Sequence, residues 1–411
     1  MEDSMKTIGE SLANFQAALT QSGGSLEEYI KENYAAKWRS DDLINAMRIR
    51  TTFVQACTNF LMEEGLLNIE KVMLSILTDP LAHDIEHTPT IPYKGHTYVT
   101  THSMIYAKFL ACSNPKINGI YVDSPNIRLE LPSPQNQQRG KYLADFSQID
   151  IELRRNRGVS LEDYYHKQQA VTEILREDFQ SIKSFFERMI QAAVAAVVTN
   201  NGAELAALGV VLEVPTLPFP AFPKDKAVST YGIKEFEEKC GEETDSQFYW
   251  ITGLFRENYD LVYPYLFPDG KKVDLRHVDS ASIFNYDIVA KSIDRTTGKQ
   301  SPGREILSGA IREWLFEPIV ERILDNKVLP ERPVIRNGNI ENIAALGGYG
   351  PFLYYASLQD ERGVPLFPDT MGGGIGIERT LFALLRGDKI KKVDDITFFG
   401  KNPDSHPIFL F

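Results

Sequence analysis

A glycine-rich run that leads into an apolar segment is the feature that most constrains the fold of this chain. The run is Gly372-Gly-Gly-Ile-Gly-Ile-Glu-Arg379, and a predicted helix follows it to Arg386. Glycines let a backbone approach a ligand closely, and a helix N-terminus attracts anions. An arginine in the first turn can then hold a phosphate through its planar fork. The run is neither a dinucleotide fingerprint nor a P-loop, and close packing of a helix on a sheet is the alternative explanation.

Two predicted strands, over 120–131 and 144–153, carry unusually polar faces and are joined by a polar loop over 132–141. Because side chains alternate along a strand, the first has Arg128 and Glu130 on one face, and the second has Phe146, Gln148 and Asp150 on one face. Such a face is too charged for an apolar core. It indicates either a ligand site or the solvated outer face of a sheet.

A third polar group lies in the predicted strands over 283–290 and 304–306 and just after them. It comprises Asp287, Glu305, Ser308 and Arg312. Two carboxylates and a hydroxyl are hard oxygen ligands, which suit Mg²⁺ held together with substrate phosphates. Surface charge on a hairpin is the alternative.

The predicted strands occur in adjacent pairs with helices between the pairs, and alternating βαβ units are not seen. Long helices are predicted over 41–64 and from Ser160 to about Val198, whereas 348–356 is strand-like. This order favours an α+β fold with a large antiparallel sheet. An apolar fraction of 43% and a charged fraction of 24% are typical of a folded soluble protein.

Taken in order, these segments resemble the catalytic core of the class II aminoacyl-tRNA synthetases, in the aspartyl/asparaginyl branch. Residues 46–70 resemble motif 1, 128–130 with 144–152 resemble motif 2, and 372–379 resemble motif 3. The strands that carry Asp287 and Glu305 resemble the metal- and substrate-binding strands of that branch. Four ordered matches in one chain are more specific than any one of them.

The resemblance implies an α+β, class II aminoacyl-tRNA synthetase-like antiparallel sheet flanked by helices. The expected domains are a helical N-terminal extension over 1–40 and a catalytic domain over 41–411. A helical or irregular insertion is expected around 156–280. The resemblance also implies a homodimer that pairs through the 41–75 region.

The resemblance further implies a role for each matching residue. ATP and Mg²⁺ are the expected cofactors, with Arg128 and Arg379 as the catalytic cations. The expected ATP-binding residues are Arg128, Glu130, Phe146, Glu305, Gly376 and Arg379. The expected residues for the amino-acid substrate are Ser103, Gln148, Asp150 and Arg312. The expected metal ligands are Asp287, Glu305 and Ser308.

Three departures from the family pattern bear on the substrate and the acceptor. The branch carries an N-terminal anticodon-binding barrel, but only about 40 residues precede motif 1 here and they read as helical. Val72 stands where motif 1 usually ends in a proline. Ala107, with Lys108 next to it, stands where aspartyl enzymes place a lysine, so the choice between aspartate and asparagine stays open.

The resemblance and the net charge of −12 leave three possible functions. The first is adenylation of aspartate, asparagine or a close analogue, with transfer to ammonia or a small amine. It is favoured by the acidic charge, since tRNA binding needs phosphate neutralisation, and tRNA is therefore an unexpected partner. The alternatives are an aspartate- or asparagine-tRNA ligase and a non-catalytic regulatory paralogue.

Several weaker features bear on compartment and on other ligands. Three widely spaced cysteines and the lack of a signal peptide or a membrane-length apolar run predict a cytoplasmic protein with reduced thiols and no membrane contact. His83 and His87 are four residues apart, which suits zinc, a substrate lid or a plain loop. The basic run Arg154-Arg155-Asn156-Arg157 suits either nucleic-acid contact or a solvated turn.

Overall fold

A computed structural model describes residues 2–79, 88–129, 143–233, 235–254, 259–275 and 277–400. The helices are α1 (Glu2–Gln21), α2 (Leu26–Ile30), a π-helical turn (Lys31–Ala35), α3 (Ala36–Trp38), α4 (Asp41–Glu63), α5 (Ile105–Ala111), α6 (Leu161–His166), α7 (Gln168–Asn200), α8 (Gly202–Leu208), α9 (Lys224–Tyr231), α10 (Phe236–Glu242), α11 (Phe316–Asp325), α12 (Ile343–Leu346), α13 (Tyr349–Ala356) and α14 (Ile377–Leu385).

The strands form one large sheet and three small ones. They are β1 (Leu67–Asn68), β2 (Leu74–Ser75), β3 (Thr90–Tyr93), β4 (His96–Thr100), β5 (Gly119–Ile127), β6 (Asp145–Arg154), β7 (Val210–Val211), β8 (Ala221–Pro223), β9 (Phe248–Thr252), β10 (Asn285–Ala290), β11 (Ile293–Asp294), β12 (Arg304–Ile311), β13 (Ile335–Arg336), β14 (Asn339–Ile340) and β15 (Thr370–Gly376).

The main sheet has eight strands in the order β1-β5-β6-β15-β12-β10-β9-β8. The six strands from β5 to β9 in this order pair antiparallel, as the sequence predicts. The two edge strands differ, because β1 joins β5 and β8 joins β9 in parallel. The sheet is therefore mixed at its edges and antiparallel in the centre, where the polar strands lie.

Two long helices, α4 and α7, cover this sheet. The single helix expected from Ser160 to about Val198 is divided at Lys167 into the short α6 and the long α7, which has no side-chain cap. Ser40 accepts a hydrogen bond from the Asp42 backbone at the start of α4. Ser160 accepts one from the Asp163 backbone at the start of α6, and each bond satisfies an otherwise unpaired N–H group of a helix N-terminus. The apolar stripe of α4 buries Leu43, Ile49 and Phe53 and packs against α7, so this helix pair forms part of the main core.

Several expectations about local structure need correction. The segment 348–356 is the helix α13 rather than a strand, and its buried Phe352 and Leu353 lie in the core. Most of the glycine-rich run, for which no element was predicted, is the central strand β15, which feeds directly into the expected helix α14. Strand β5 ends at Ile127, so Arg128 lies just beyond the strand rather than on its face.

The expected domain boundaries can be compared only with the elements in each range. Residues 2–38 are largely helical and form α1, α2, the π-helical turn and α3. The range 156–280 supplies the core helix α7 and also two strands of the main sheet, β8 and β9. The boundaries themselves stay predictions. Of the helices in the described ranges, none combines the length and the apolar composition that a membrane span requires.

Candidate functional site

The centre of the main sheet gathers polar side chains from three of its strands on one face. In the register of the sheet, Asp287 of β10 lies opposite Ser308 of β12, Ser308 opposite Gly374 of β15, and Gly374 opposite Asp150 of β6. Residues directly opposite each other in an antiparallel pair point to the same face. The second and third polar groups of the sequence therefore belong to one surface, with the glycine-rich strand between them.

A β-bulge brings Glu305 onto the same face. The register between β10 and β12 shifts between Ile288 and Val289, so that Val289 pairs with Glu305 instead of Ile306. Since one extra residue in a strand re-aims the side chains beyond it, Glu305 joins Asp287 and Ser308 on the polar face. Strict alternation along β12 would have placed Glu305 and Ser308 on opposite faces.

The glycines of β15 form a floor on which the acidic side chains of β6 lie. A Cβ atom at Gly374 would lie 2.7 Å from Asp150 Oδ1, and one at Gly372 would collide with the Ile151 carbonyl oxygen and lie 2.6 Å from Glu152 Oε2. Real Cβ atoms do not approach oxygen atoms so closely, and close backbone approach is a common reason for glycine within a strand. Gly374 thus makes room for the Asp150 carboxylate, and Gly372 makes room for both the backbone of β6 and the Glu152 carboxylate. Packing of a helix on the sheet does not explain these two positions.

A cleft opens above this floor at the N-terminus of α14. Its lining residues are Leu143, Phe146, Gln148, Glu305, Ile306, Gly374, Gly376, Glu378, Arg379 and Val393. Arg379 Nη1 lies 3.0 Å from Glu305 Oε1, and both side chains are partly exposed to the cleft. The predicted ATP-binding residues Phe146, Glu305, Gly376 and Arg379 are therefore neighbours in space.

Arg128 stands beside the aromatic wall of the same cleft. Its guanidinium carbon is 5.1 Å from the centroid of the Phe146 ring, and its Nε donates to the His102 carbonyl at 3.0 Å. A guanidinium over an aromatic face makes a favourable cation–π contact. The buried His102 has a lowered pKa, first because of its burial and also because Arg128 is close, which favours the neutral imidazole.

Below the cleft lies a buried network that joins two cations to three carboxylates. We call it the buried acid network, and its members are Lys108, Asp150, Glu152, Asp260 and Arg312. Lys108 Nζ is 3.0 Å from Asp150 Oδ1 and 3.7 Å from Glu152 Oε2. Arg312 donates to Glu152 at 3.2 Å, to Asp260 at 3.0 Å and to the Gly372 carbonyl at 3.1 Å.

The electrostatics of this network follow from its burial. Each of the five side chains is at most 5% exposed, so their charges act in a medium of low dielectric constant. Burial alone would lower the pKa of Arg312, but Glu152 and Asp260 raise it above its usual value. Arg312 is therefore a permanent cation that two protein carboxylates already hold.

The remaining predicted substrate residues lie beside this network. Gln148 Oε1 accepts from Asn126 Nδ2 at 3.2 Å, which links β6 to β5. Ser103 Oγ accepts from the Ile105 backbone at the start of α5, the short helix that also carries Lys108. Gln148 therefore lines the cleft, and Ser103 lies at the N-terminus of the helix that carries Lys108.

Motif 1 also reaches the cleft. Glu378, in the first turn of α14, accepts a hydrogen bond from the Ser147 backbone at 3.0 Å and lies 3.7 Å from Arg50 Nη2 of α4. Burial raises the pKa of Glu378, while its hydrogen bonds and Arg50 oppose that shift. These contacts tie the helix that carries Arg379 to β6 and α4, so they fix the orientation of the arginine.

The oxygen atoms of Asp287, Glu305 and Ser308 suit a magnesium ion whose other ligands are phosphate oxygens and waters. Among the described residues, no group of three or more His, Cys, Asp or Glu side chains is arranged to hold a metal ion. Asp287 and Ser308 face each other across two strands, and Glu305 follows on the same face. Mg²⁺ typically takes one or two carboxylates together with substrate phosphates and waters, which two carboxylates and one hydroxyl can satisfy.

Some expectations fall outside this site or outside the described residues. Glu130, His83 and His87 lie outside the described ranges, so their predicted roles stay predictions. The basic run at the end of β6 is only partly a solvated turn, because Arg155 is buried and donates to Asp178 at 2.8 Å, whereas Asn156 and Arg157 are exposed. Arg157 pairs with the same carboxylate.

Sequence reasoning missed one member of the buried acid network, gave Glu152 no role, and left Lys108 only as the neighbour of the position where aspartyl enzymes place a lysine. Asp260 lies in a segment with no readable pattern, and it reaches the site only because its backbone pairs with Arg312 in an isolated bridge. Glu152 and Lys108 stood within recognised segments, and their burial beside Arg312 was not evident. The only signal in the sequence was that Glu152 and Lys108 are charged residues within otherwise apolar segments.

Comparison with known proteins agrees with this geometry. The model of the family described as tRNA synthetases class II (D, K and N) matches residues 25–403. The chain therefore belongs to this family, whose members are ATP-dependent ligases. The resemblance seen in the sequence motifs is confirmed, and so is the α+β fold with a large sheet flanked by helices.

The curated relatives are distant and longer than this chain. An aspartate–tRNA(Asp) ligase of Thermococcus kodakarensis is 24% identical over 296 residues, which are 71% of this chain but only 59% of that protein. A second one, from Pyrococcus furiosus, is 21% identical over 358 residues, covering 86% of this chain and 68% of that protein. The chain thus spans about three fifths to two thirds of the length of these relatives.

Solved structures show the same fold. The asparaginyl-tRNA synthetase of Pyrococcus horikoshii complexed with asparaginyl-adenylate superposes with a TM-score of 0.57 at 16% identity, over 89% of this chain and 70% of that chain. The corresponding enzyme of Entamoeba histolytica, also with asparaginyl-adenylate, gives 0.58 at 13% identity, over 88% and 68%.

Proposed function

We propose that this protein activates aspartate or asparagine with ATP, forming an enzyme-bound aminoacyl-adenylate and pyrophosphate. One observation carries the proposal. The cleft that holds Phe146, Glu305 and Arg379 adjoins the buried acid network through β6 and β15. In this proposal the nucleotide and a small zwitterion would share one floor, as a reaction between the two requires.

In the proposed reaction, Phe146 stacks on the adenine and Arg379 holds the phosphate end of ATP. Arg128 would hold the carboxylate of the amino acid and the α-phosphate together. A carboxylate oxygen attacks the α-phosphorus, the new O–P bond forms, and the bond to the pyrophosphate oxygen breaks. Fixed cations stabilise the charge that develops, and such preorganised contacts contribute typically 10²–10³ each to the rate.

The metal and the amino acid occupy the two ends of the polar face in this proposal. Asp287, Glu305 and Ser308 would hold Mg²⁺, which would neutralise phosphate charge during the reaction. Asp150 and Gln148 would accept hydrogen bonds from the ammonium group of the substrate, and Ser103 would line the same end. Arg312 would meet the substrate side chain.

The acceptor of the acyl group is proposed to be the 3′ end of a tRNA. The names of the curated relatives, which are aspartate–tRNA ligases, support this acceptor. A second candidate is ammonia or a small amine, and the net charge of −12 favours it, because an acidic protein gains little from counterion release on a polyanion.

ATP–pyrophosphate exchange tests the activation step, and product analysis tests the acceptor. Purified protein with Mg²⁺ should exchange pyrophosphate into ATP only when aspartate or asparagine is present. The same mixture is then given total tRNA in one arm and ammonium or small amines in the other. An aminoacyl ester on tRNA supports the first acceptor, an amide supports the second, and absence of exchange with either amino acid refutes the proposal.

A homodimer is proposed through the segment that follows α4. Four large apolar side chains there are exposed by about half each, namely Leu67, Met73, Leu74 and Ile76. Exposed apolar residues concentrated in one segment typically mark a protein interface. Light scattering should give twice the mass of the chain, and Met73→Asp combined with Leu74→Asp should reduce it to one chain without unfolding the protein. A wild-type protein that scatters as a single chain would exclude this dimer.

A further inference from the structure

We infer that a second cavity, beside the buried acid network, is a binding site for a small ammonium ion, either ammonium itself or methylammonium. The cavity is lined by Glu313, by two isoleucines and by five aromatic side chains, namely Tyr106, Phe109, Tyr259, Phe352 and Phe367. It encloses about 250 Å³, part of which is open to solvent. None of its lining residues belongs to the cleft or to the network, so this site goes beyond the proposed function.

The five aromatic side chains contact one another in a closed circle. The ring centroid of Tyr259 is 6.3 Å from that of Tyr106 and 6.2 Å from that of Phe109. Phe367 continues the circle at 5.9 Å from Phe109. Phe352 closes it, at 5.5 Å from Phe367 and 4.8 Å from Tyr106. Aromatic faces attract cations, and cages of several aromatic rings recognise ammonium groups.

Glu313 is the one carboxylate among the lining residues. Its side chain is buried, and its Oε1 accepts from the backbone of Trp314 at 3.1 Å and of Leu315 at 3.3 Å. Its Oε2 is also buried, and within the described part of the chain it has no hydrogen-bond partner. A buried acceptor without a donor is unfavourable. This oxygen therefore favours a ligand that brings both N–H donors and a positive charge.

The two arginines nearest to Glu313 are held by other partners. Arg155 pairs with Asp178 at 2.8 Å, and Arg322 donates to the Asp260 carbonyl at 3.0 Å. Burial raises the pKa of Glu313 to about 7, although its backbone hydrogen bonds and both arginines oppose that shift. At pH 7 about half of these carboxyl groups therefore carry a proton. A cation that binds at Oε2 must displace this proton, so its affinity should rise with pH.

The lining disfavours other classes of ligand. An anion would meet a carboxylate, an apolar molecule would leave Oε2 without a donor, and a water molecule would gain nothing from the charge preference of the rings. Tyr259 also joins the cavity to the buried acid network, because its ring centroid is 5.6 Å from the guanidinium carbon of Arg312. A bound ammonium ion would thus lie next to the proposed amino-acid site, as the protonated form of the second candidate acceptor.

The test compares thermal unfolding of the protein in ammonium, methylammonium and sodium chloride at equal ionic strength. At pH 8 both amines are still mostly protonated. We expect each of the two ammonium salts to raise the midpoint of the wild type by about 1–3 °C over sodium chloride, as for a ligand at about tenfold its Kd. At pH 5.5 the difference should vanish, because nearly all of the Glu313 carboxyl groups carry a proton there.

Two variants separate the charge of the site from its aromatic wall. Glu313→Gln should abolish the ammonium effect, and Phe352→Leu, which keeps an apolar side chain, should weaken it. Glu187→Gln is the matched control, because Glu187 is also a buried glutamate beside an aromatic ring and accepts from the Trp250 indole at 2.7 Å outside the cavity. The control should keep the full effect.

Every outcome either supports or overturns the inference. A wild type whose midpoint at pH 8 is the same in the ammonium salts and in sodium chloride holds only water in the cavity, which overturns the inference whether or not Glu313→Gln folds. An ammonium effect that persists in Glu313→Gln, or at pH 5.5, arises elsewhere on the protein and overturns it too. The readout does not depend on pyrophosphate exchange, so a failure of the proposed function leaves this result unaffected.

Discussion

Replacement of Arg379 by alanine should lower the rate of ATP–pyrophosphate exchange strongly and the stability of the protein very little. The Arg379 guanidinium lies 3.0 Å from Glu305 Oε1, and the two side chains are 27% and 39% exposed. An ion pair so accessible to water contributes about 0–1 kcal/mol to stability. The same guanidinium lies at the N-terminus of α14, and in the proposed role of holding phosphate it is expected to stabilise the transition state by about 3–4 kcal/mol.

Arg379→Ala should therefore lower ATP–pyrophosphate exchange by about 10²–10³ and leave the thermal midpoint almost unchanged. Arg379→Lys should be intermediate, because lysine keeps the charge and loses the planar fork. The matched control is Arg188→Ala, which breaks a partly exposed pair with Glu64 at 2.6 Å outside the cleft. The control should exchange at the wild-type rate, and an Arg379→Ala protein that does the same would refute the assigned role in ATP binding.

Three further predictions concern the floor, a buried carboxyl and the metal. Gly374→Ala should lower pyrophosphate exchange at least tenfold, because the new Cβ atom would lie 2.7 Å from Asp150 Oδ1. The control Gly202→Ala, whose Cβ atom would have no other atom within 4 Å, should exchange at the wild-type rate. Burial raises the pKa of Glu313 from 4.5 to about 7, so the folded state holds its proton more tightly. The free energy of unfolding should therefore fall as pH rises from about 4.5 to about 7, and Glu313→Gln should flatten that dependence in urea titrations. Asp287→Asn should raise the Mg²⁺ concentration needed for half-maximal exchange, and stoichiometric zinc whose removal abolishes activity would contradict the oxygen-ligand site.

Local patterns in the sequence determined the elements and much of the cleft. Alternation along β6 placed Phe146, Gln148 and Asp150 on one face, and the structure has them there because the side-chain period of a strand is a local property. The start of α4 was predictable from Ser40 for the same reason, since a cap depends on residues only a few positions apart. The order of the motifs along the chain also indicated the family, and the family model that matches residues 25–403 confirms it.

The tertiary structure alone decided which of these polar side chains meet and what charge they carry together. Glu305 reaches the polar face through a bulge, and a bulge depends on how two strands pair. Asp260 and Arg312 are 52 positions apart in the chain, and Lys108 reaches Asp150 from a separate helix. Such contacts arise from the register of the sheet and the packing of helices on it, which no local spacing records. The sequence therefore determined the chemistry that is present, and the folded core determined that two of its cations are already held by the protein's own carboxylates.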